Sequence, residues 1–164
     1  MYQRILVPFD GSETSTAGLD EAIRLAKLAR ARIRLVHVVD GLTFVGGMEF
    51  TTGDVLGMLI DAGAQILSQG KARVEASGVP VDTYMPETFG DRVCDVVVAQ
   101  ARSWAADLIV IGTHGRRGVG RLLIGSDAEQ IVRAAPVPVL LVRAPAQRVA
   151  AGGAGDAANA SLAA

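Results

Sequence analysis

The chain has 164 residues and a formal net charge of −1, from 16 basic and 17 acidic side chains. This length fits one domain, and the balanced charge argues against bulk electrostatic binding to nucleic acid or to an anionic membrane. Cys94 is the only cysteine, which excludes an internal disulfide and favours a reducing, cytoplasmic location.

The first part of the chain alternates strand and helix patterns. The apolar run from Arg4 to Phe9 predicts a buried strand, and Asp10-Gly11-Ser12 has turn chemistry, with Ser12 as the predicted N-cap of a helix. Apolar residues then recur at helical spacing from Leu19 to Ala29. The run from Ile33 to Val39 predicts a second strand.

The middle of the chain is less regular. Residues 41–53 contain four glycines and no clear period, which predicts a mobile loop. A second helix pattern follows from Leu56 and ends near Ser77-Gly78. The segment from Val79 to Tyr84 predicts a third strand, and its lower apolar content favours a sheet edge.

Two more pairs of elements complete the pattern. Val93 to Trp104 predict a third helix and Asp107 to Ile111 a fourth strand. Ser126, with Glu129 three residues later, has the pattern of a capping box at the start of a fourth helix. Val137 to Val142 predict a last strand, in which Pro138 favours an edge or strand-end position. Residues 144–164 are rich in Ala and Gly, which predicts a disordered tail after a domain of residues 1–143.

This order of elements defines an expected fold class. Strands that alternate with helices predict an α/β protein with a five-stranded parallel, doubly wound sheet and helices on both faces. A common strand order is 3-2-1-4-5, in which the chain reverses direction between strands 1 and 4. Ligands bind at the carboxyl ends of the strands at such a switch point. The segments Pro8–Gly11 and Gly112–Gly115 would meet there.

The segment after the fourth predicted strand carries candidate anion-binding residues. Gly112 and Gly115 allow close backbone approach, and Gly125-Ser126 opens the fourth predicted helix, whose first amides favour an anion. Arg116 adds a positive charge suited to phosphate. The alternative is that the glycines only allow a tight loop, and the residues alone leave both readings open.

Several motifs together resemble the universal stress protein family over residues 1–143. Gly112-x2-Gly115-x9-Gly125-Ser126 looks like that family's nucleotide-binding motif, and Ile5–Ser12 resembles its first strand and turn. The segment Ala135–Val142 is similar to its closing strand. The resemblance implies the adenine nucleotide alpha hydrolase-like fold with strand order 3-2-1-4-5.

The resemblance also implies roles for individual residues. Asp10 and Val38 would hold the adenosine, Pro8 and Gly112 would flank the ribose, and Gly115, Gly125 and Ser126 would hold phosphates. It further implies a homodimer through the last strand, Val137–Val142. Asp127-Ala128 departs from the family pattern, since a hydroxyl group is usual at the position of Ala128.

Three functions follow as hypotheses. The first is a homodimeric stress-response regulatory protein that binds ATP or another adenine nucleotide, with the presence of Mg²⁺ left open. The second is a weak ATPase or phosphate-transfer enzyme, with Asp10 or Asp127 as the nearby carboxylates. The third is a dimeric adaptor that binds no nucleotide. His37 and Cys94 are interpreted as packed structural residues, and no spacing typical of a protein-bound zinc site is present.

Overall fold

The computed structural model describes residues 1–39, 52–86, 91–113 and 125–144. Strands and helices alternate along them, as the sequence predicts. The elements are β1 (Arg4–Pro8), α1 (Glu13–Ala29), β2 (Arg32–Val36), α2 (Thr52–Glu75), β3 (Val81–Tyr84), α3 (Val93–Ser103), β4 (Leu108–Gly112), α4 (Ser126–Ala134) and β5 (Val139–Val142).

The five strands form one parallel sheet in the order β3-β2-β1-β4-β5. The predicted 3-2-1-4-5 order is therefore confirmed. β1 lies between β2 and β4, so the carboxyl ends of β1 and β4 are neighbours at the switch point. β3 and β5 lie at the two edges, as their sequences indicate.

Helices cover both faces of the sheet. Successive residues of β1 point to opposite faces, and Ile5, Leu6 and Val7 have no exposed surface. Ile5 and Val7 belong to the core cluster that contains residues of α1 and α2. Leu6 belongs to the second cluster, which contains residues of α3 and α4. Burial on both faces explains why β1 reads as a continuous apolar run rather than an alternating one.

A polar contact joins the sheet to α3 at the β3 side. Arg34 of β2 forms a bidentate ion pair with Asp82 of β3, with N–O distances of 2.5 and 3.2 Å. Its guanidinium also donates to Gln100 at 3.3 Å and lies 4.8 Å from the centre of the Trp104 ring. This side chain therefore links β2, β3 and the carboxyl end of α3.

Several predicted boundaries are wrong. β2 ends at Val36 rather than Val39, and β5 begins at Val139, after Pro138. α2 already begins at Thr52, so the predicted loop 41–53 is too long at its carboxyl end. The rest of that loop and residues 145–164 of the predicted tail lie outside the described residues. Within the described part of the chain, no helix is long and apolar enough to cross a membrane.

Candidate functional site at the switch point

The candidate site lies at the carboxyl ends of β1, β2 and β4. We define the switch-point site as Pro8–Ser12, His37–Val38, Gly112–Thr113 and Gly125–Ser126. Hydrogen bonds join these segments in pairs: His37 Nδ1 lies 2.9 Å from Phe9 O, and Gly125 N donates to Thr113 O at 2.7 Å. The fold thus brings the predicted residues Pro8, Asp10, Val38, Gly112, Gly125 and Ser126 to one end of the sheet. Gly115 and Arg116 lie outside the described residues.

Asp10 begins the turn between β1 and α1. Its Oδ1 accepts a hydrogen bond of 3.0 Å from Ser12 N, and Gly11 has a φ of 76°, a conformation that favours glycine. Ser12 then caps α1, because its Oγ accepts from Ser15 N at 3.2 Å. The predicted N-cap is confirmed, and the turn fixes the Asp10 carboxylate at the end of β1.

Gly112 ends β4 against the first turn of α1. A Cβ at this position would lie 2.4 Å from Thr14 O and 3.0 Å from Ser15 N. Both are main-chain atoms, so no side-chain rotation can relieve the contact. Glycine is therefore required at position 112 by the packing of α1, whether or not a ligand binds nearby.

Gly125 connects α4 to β4. Its N–H donates to Thr113 O at 2.7 Å, so the chain returns to the end of β4 as α4 begins. Gly125 is also the N-cap of α4, without a side-chain cap. The predicted capping box at Ser126 is wrong: Ser126 is already the first helical residue, and the carboxylate of Glu129 accepts from Arg133 at 2.7 Å instead.

The amino terminus of α4 therefore lacks the side-chain cap that α1 has. The bond from Glu129 N to Gly125 O, at 2.9 Å, is a helical i to i−4 bond. Among the described residues, no acceptor is seen for the N–H groups of Ser126, Asp127 and Ala128. Such amides, together with the helix dipole, favour an anion. Ser126 and Asp127 are exposed, whereas Ala128 is 4% exposed and packs in the second core cluster.

His37 lies between β1 and β3 at the carboxyl end of β2. It is 7% exposed, and its backbone N–H donates to Tyr84 O at 3.0 Å. The Nδ1 atom of its ring lies 2.9 Å from Phe9 O. The interpretation of a packed, hydrogen-bonded histidine is confirmed. The sequence placed His37 inside the strand, however, and gave no sign that its side chain bonds the end of β1. The role of the Thr113 carbonyl was likewise not predicted.

Cys94 is a buried free thiol on α3. Burial raises its pKa, and the neighbouring Asp95 carboxylate raises it further. This environment favours the neutral thiol and agrees with a structural role. In the described residues, no group of three or more His, Cys, Asp and Glu side chains is placed to hold a metal ion.

The fold and this arrangement define a doubly wound α/β protein with a candidate anion site at its switch point. The sequence model of the Universal stress protein family matches residues 1–143. A universal stress protein of Methanocaldococcus jannaschii is 35% identical over 146 residues, which cover 88% of this chain and 84% of the relative. This chain belongs to the universal stress protein family.

Solved structures agree with this assignment. A crystal structure of a universal stress protein family member from Burkholderia pseudomallei is 33% identical, with a TM-score of 0.68, and the match covers 85% of this chain and 95% of that one. A universal stress protein crystallised in complex with cAMP is 25% identical, with a TM-score of 0.65, over 88% of this chain and 99% of that one. The shared architecture therefore extends over nearly the whole of both relatives.

Proposed function

We propose that this chain is a stress-response regulatory protein of the cytoplasm that binds an adenine nucleotide, ATP or another, at the switch-point site. The observation that carries the proposal is the bond from Gly125 N to Thr113 O. It places the amino terminus of α4, which has no side-chain cap, at the end of β4. The cAMP complex of a family member with the same fold supports the choice of an adenine nucleotide.

The two helix amino termini at the site suggest where the phosphates bind. In the first turn of α1, the Ser12 hydroxyl already accepts from Ser15 N. The first turn of α4 offers main-chain N–H groups without such a cap, so we assign the phosphates to Gly125 and Ser126. The exposed Asp127 carboxylate repels a triphosphate unless a cation intervenes, so Mg²⁺ should strengthen binding of ATP more than binding of AMP.

The remaining residues of the site are assigned by position. Asp10 and Val38 would hold the adenosine, and Pro8 and Gly112 would flank the ribose. All four lie at the carboxyl ends of β1, β2 and β4. Gly115 and Arg116 stay predictions from the sequence, as does the assignment of residues 1–143 as the nucleotide-binding domain.

Isothermal titration of the purified protein with ATP, with and without Mg²⁺, tests the proposal. Gly125→Val is the informative variant: Gly125 has φ −59° and ψ 148°, which valine adopts without strain, so the added methyl groups should act on the ligand and not on the backbone. We expect affinity to fall by about tenfold or more, as for the loss of one or more good hydrogen bonds to a charged group.

Ala134→Val is the control, since it also creates a valine, with two added carbons instead of three, at the exposed other end of α4. It should bind ATP like the wild type. Absence of heat at millimolar ATP, in a protein shown to be folded, would contradict the proposal and favour the adaptor hypothesis. Steady phosphate release that depends on Asp127 would favour the enzyme.

We further propose that the protein is a homodimer through Val137–Val142. β5 is an edge strand, and all four of its residues are only partly buried. The carbonyls of Pro138 and Val142 accept from Ile109 and Thr113 at 3.0 and 2.9 Å, so by alternation the main-chain groups of Val139 and Leu141 face away from β4. Leu141→Pro removes the main-chain N–H that faces away from β4, so sedimentation velocity should show this variant as a monomer. A monomeric wild type would contradict the proposal.

A further inference from the structure

The hydrogen bond from His37 to Phe9 interrupts the ladder between β1 and β2. In a parallel ladder, a residue donates to one residue of the neighbouring strand and accepts from the residue two positions further on. Phe9 N donates to Val36 O at 2.8 Å, so the next bond would run from Val38 N to Phe9 O. Instead, Phe9 O lies 2.9 Å from His37 Nδ1. No backbone hydrogen bond joins Phe9 to Val38, both of which the structure describes.

The geometry places a proton on Nδ1 and holds the ring in one position. A carbonyl oxygen only accepts, so Nδ1 must carry the proton in this bond. The ring is buried, and its backbone N–H is bonded to Tyr84 O. The opposite edge of the ring faces α2, where a Cβ on Gly63 would lie 2.9 Å from His37 Cδ2. The packing of α2 thus holds the ring against Phe9.

We propose that His37 is a positioning residue for nucleotide binding. Its imidazole binds the Phe9 carbonyl in place of the Val38 N–H. The ladder between β1 and β2 therefore ends at Val36, and the Val38 N–H stays available to the ligand. Phe9 directly precedes Asp10, and His37 directly precedes Val38. This one hydrogen bond therefore positions the main chain just before both residues assigned to the adenosine. The inference rests on the proposed function, because Val38 contacts a ligand only if a nucleotide binds at this site.

Two amide substitutions separate the hydrogen bond from the packing. In His37→Asn the side-chain nitrogen is as many bonds from the main chain as Nδ1, so it can still donate to Phe9 O. In His37→Gln the nitrogen lies one bond further out, near the position of Nε2. Titration with AMP should give His37→Asn an affinity within about threefold of the wild type and His37→Gln an affinity lower by about tenfold, the effect of one lost hydrogen bond. Thermal melts of both variants report any loss of folding.

Amide hydrogen exchange at Val38 gives a readout that needs no ligand. The Val38 amide should exchange rapidly in the wild type and in His37→Asn, and it should become protected in His37→Gln, where Phe9 O can accept from it. A protected Val38 amide in the wild type overturns the inference, even if no variant folds. Wild-type affinity in a folded His37→Gln overturns it too, but leaves the proposed function intact. A folded wild type that binds neither AMP nor ATP overturns both.

Discussion

Substitution of Gly112 by alanine tests the packing of β4 against α1. The new Cβ would lie 2.4 Å from Thr14 O and 2.6 Å from Thr14 C. Ordinary contacts between such atoms need about 3.5 Å, so the first turn of α1 must withdraw by about 1 Å. Overpacking of a core typically costs about 1–3 kcal/mol. We expect the upper end, about 3 kcal/mol, because the opposing atoms belong to the main chain.

Urea unfolding followed by the fluorescence of Trp104, the only tryptophan, measures this cost. A loss of about 3 kcal/mol corresponds to a fall in melting temperature of roughly 6–12 °C for a chain of this size. Gly57→Ala is the matched control. Gly57 lies in α2, and outside the neighbouring helix backbone no atom of the described residues lies within 4 Å of its added Cβ, so alanine should stabilise the helix by up to about 1 kcal/mol. A Gly112→Ala protein as stable as the wild type would refute the reasoning.

Three further predictions concern other parts of the fold. Asp82→Ala should destabilise the protein by about 2 kcal/mol in the urea assay, because it removes the carboxylate partner of the Arg34 guanidinium, whose side chain is only 22% exposed. As a control, Glu21→Ala breaks an exposed ion pair on α1 and should cost less than about 1 kcal/mol in the same assay. Cys94 should react slowly with a thiol reagent at pH 8 until urea unfolds the chain, and equal rates in folded and unfolded protein would contradict this. Because burial raises the pKa of the Cys94 thiol, its contribution to the free energy of unfolding should be complete below the pKa of an unfolded thiol and should fall as the pH rises towards the pKa of the folded thiol. Gly70→Ala should lower the midpoint of urea unfolding, because its Cβ would lie 2.8 Å from a ring carbon of Phe9 in the core. An unchanged midpoint would contradict this and show that the Phe9 ring can move aside.

The fold was predictable because its signals are local and agree with one another. Apolar runs such as Ile5–Val7 mark strands buried on both faces, and the turn at Asp10-Gly11-Ser12 marks the start of α1. The alternation of strands with helices then restricts the sheet to a few topologies. The position of the site follows, since the ends of β1 and β4 meet wherever strand order reverses.

The wrong predictions share a physical cause, which is that contacts distant in sequence decide the ends of elements. Ser126 and Glu129 have the spacing of a capping box, but Gly125 is bonded to Thr113 and Glu129 to Arg133, so the helix starts one residue earlier than the predicted cap implies. The β2 pattern continues through Val39, but a side-chain bond to Phe9 closes the ladder early. A short window of local sequence around Gly125 or His37 does not contain Thr113 or Phe9, the partners that decide these two ends.

The hydrogen bond from Gly125 N to Thr113 O has a consequence for engineering and for divergence within the family. It joins the two borders of residues 114–124, so the sheet and α4 meet at the same point whatever the number of residues between them. The entropy of closing a chain segment grows only slowly with its length. Insertions, deletions or transplanted sequences between these borders should therefore leave the contact between the sheet and α4 intact, which makes this segment a place where new binding residues can be introduced.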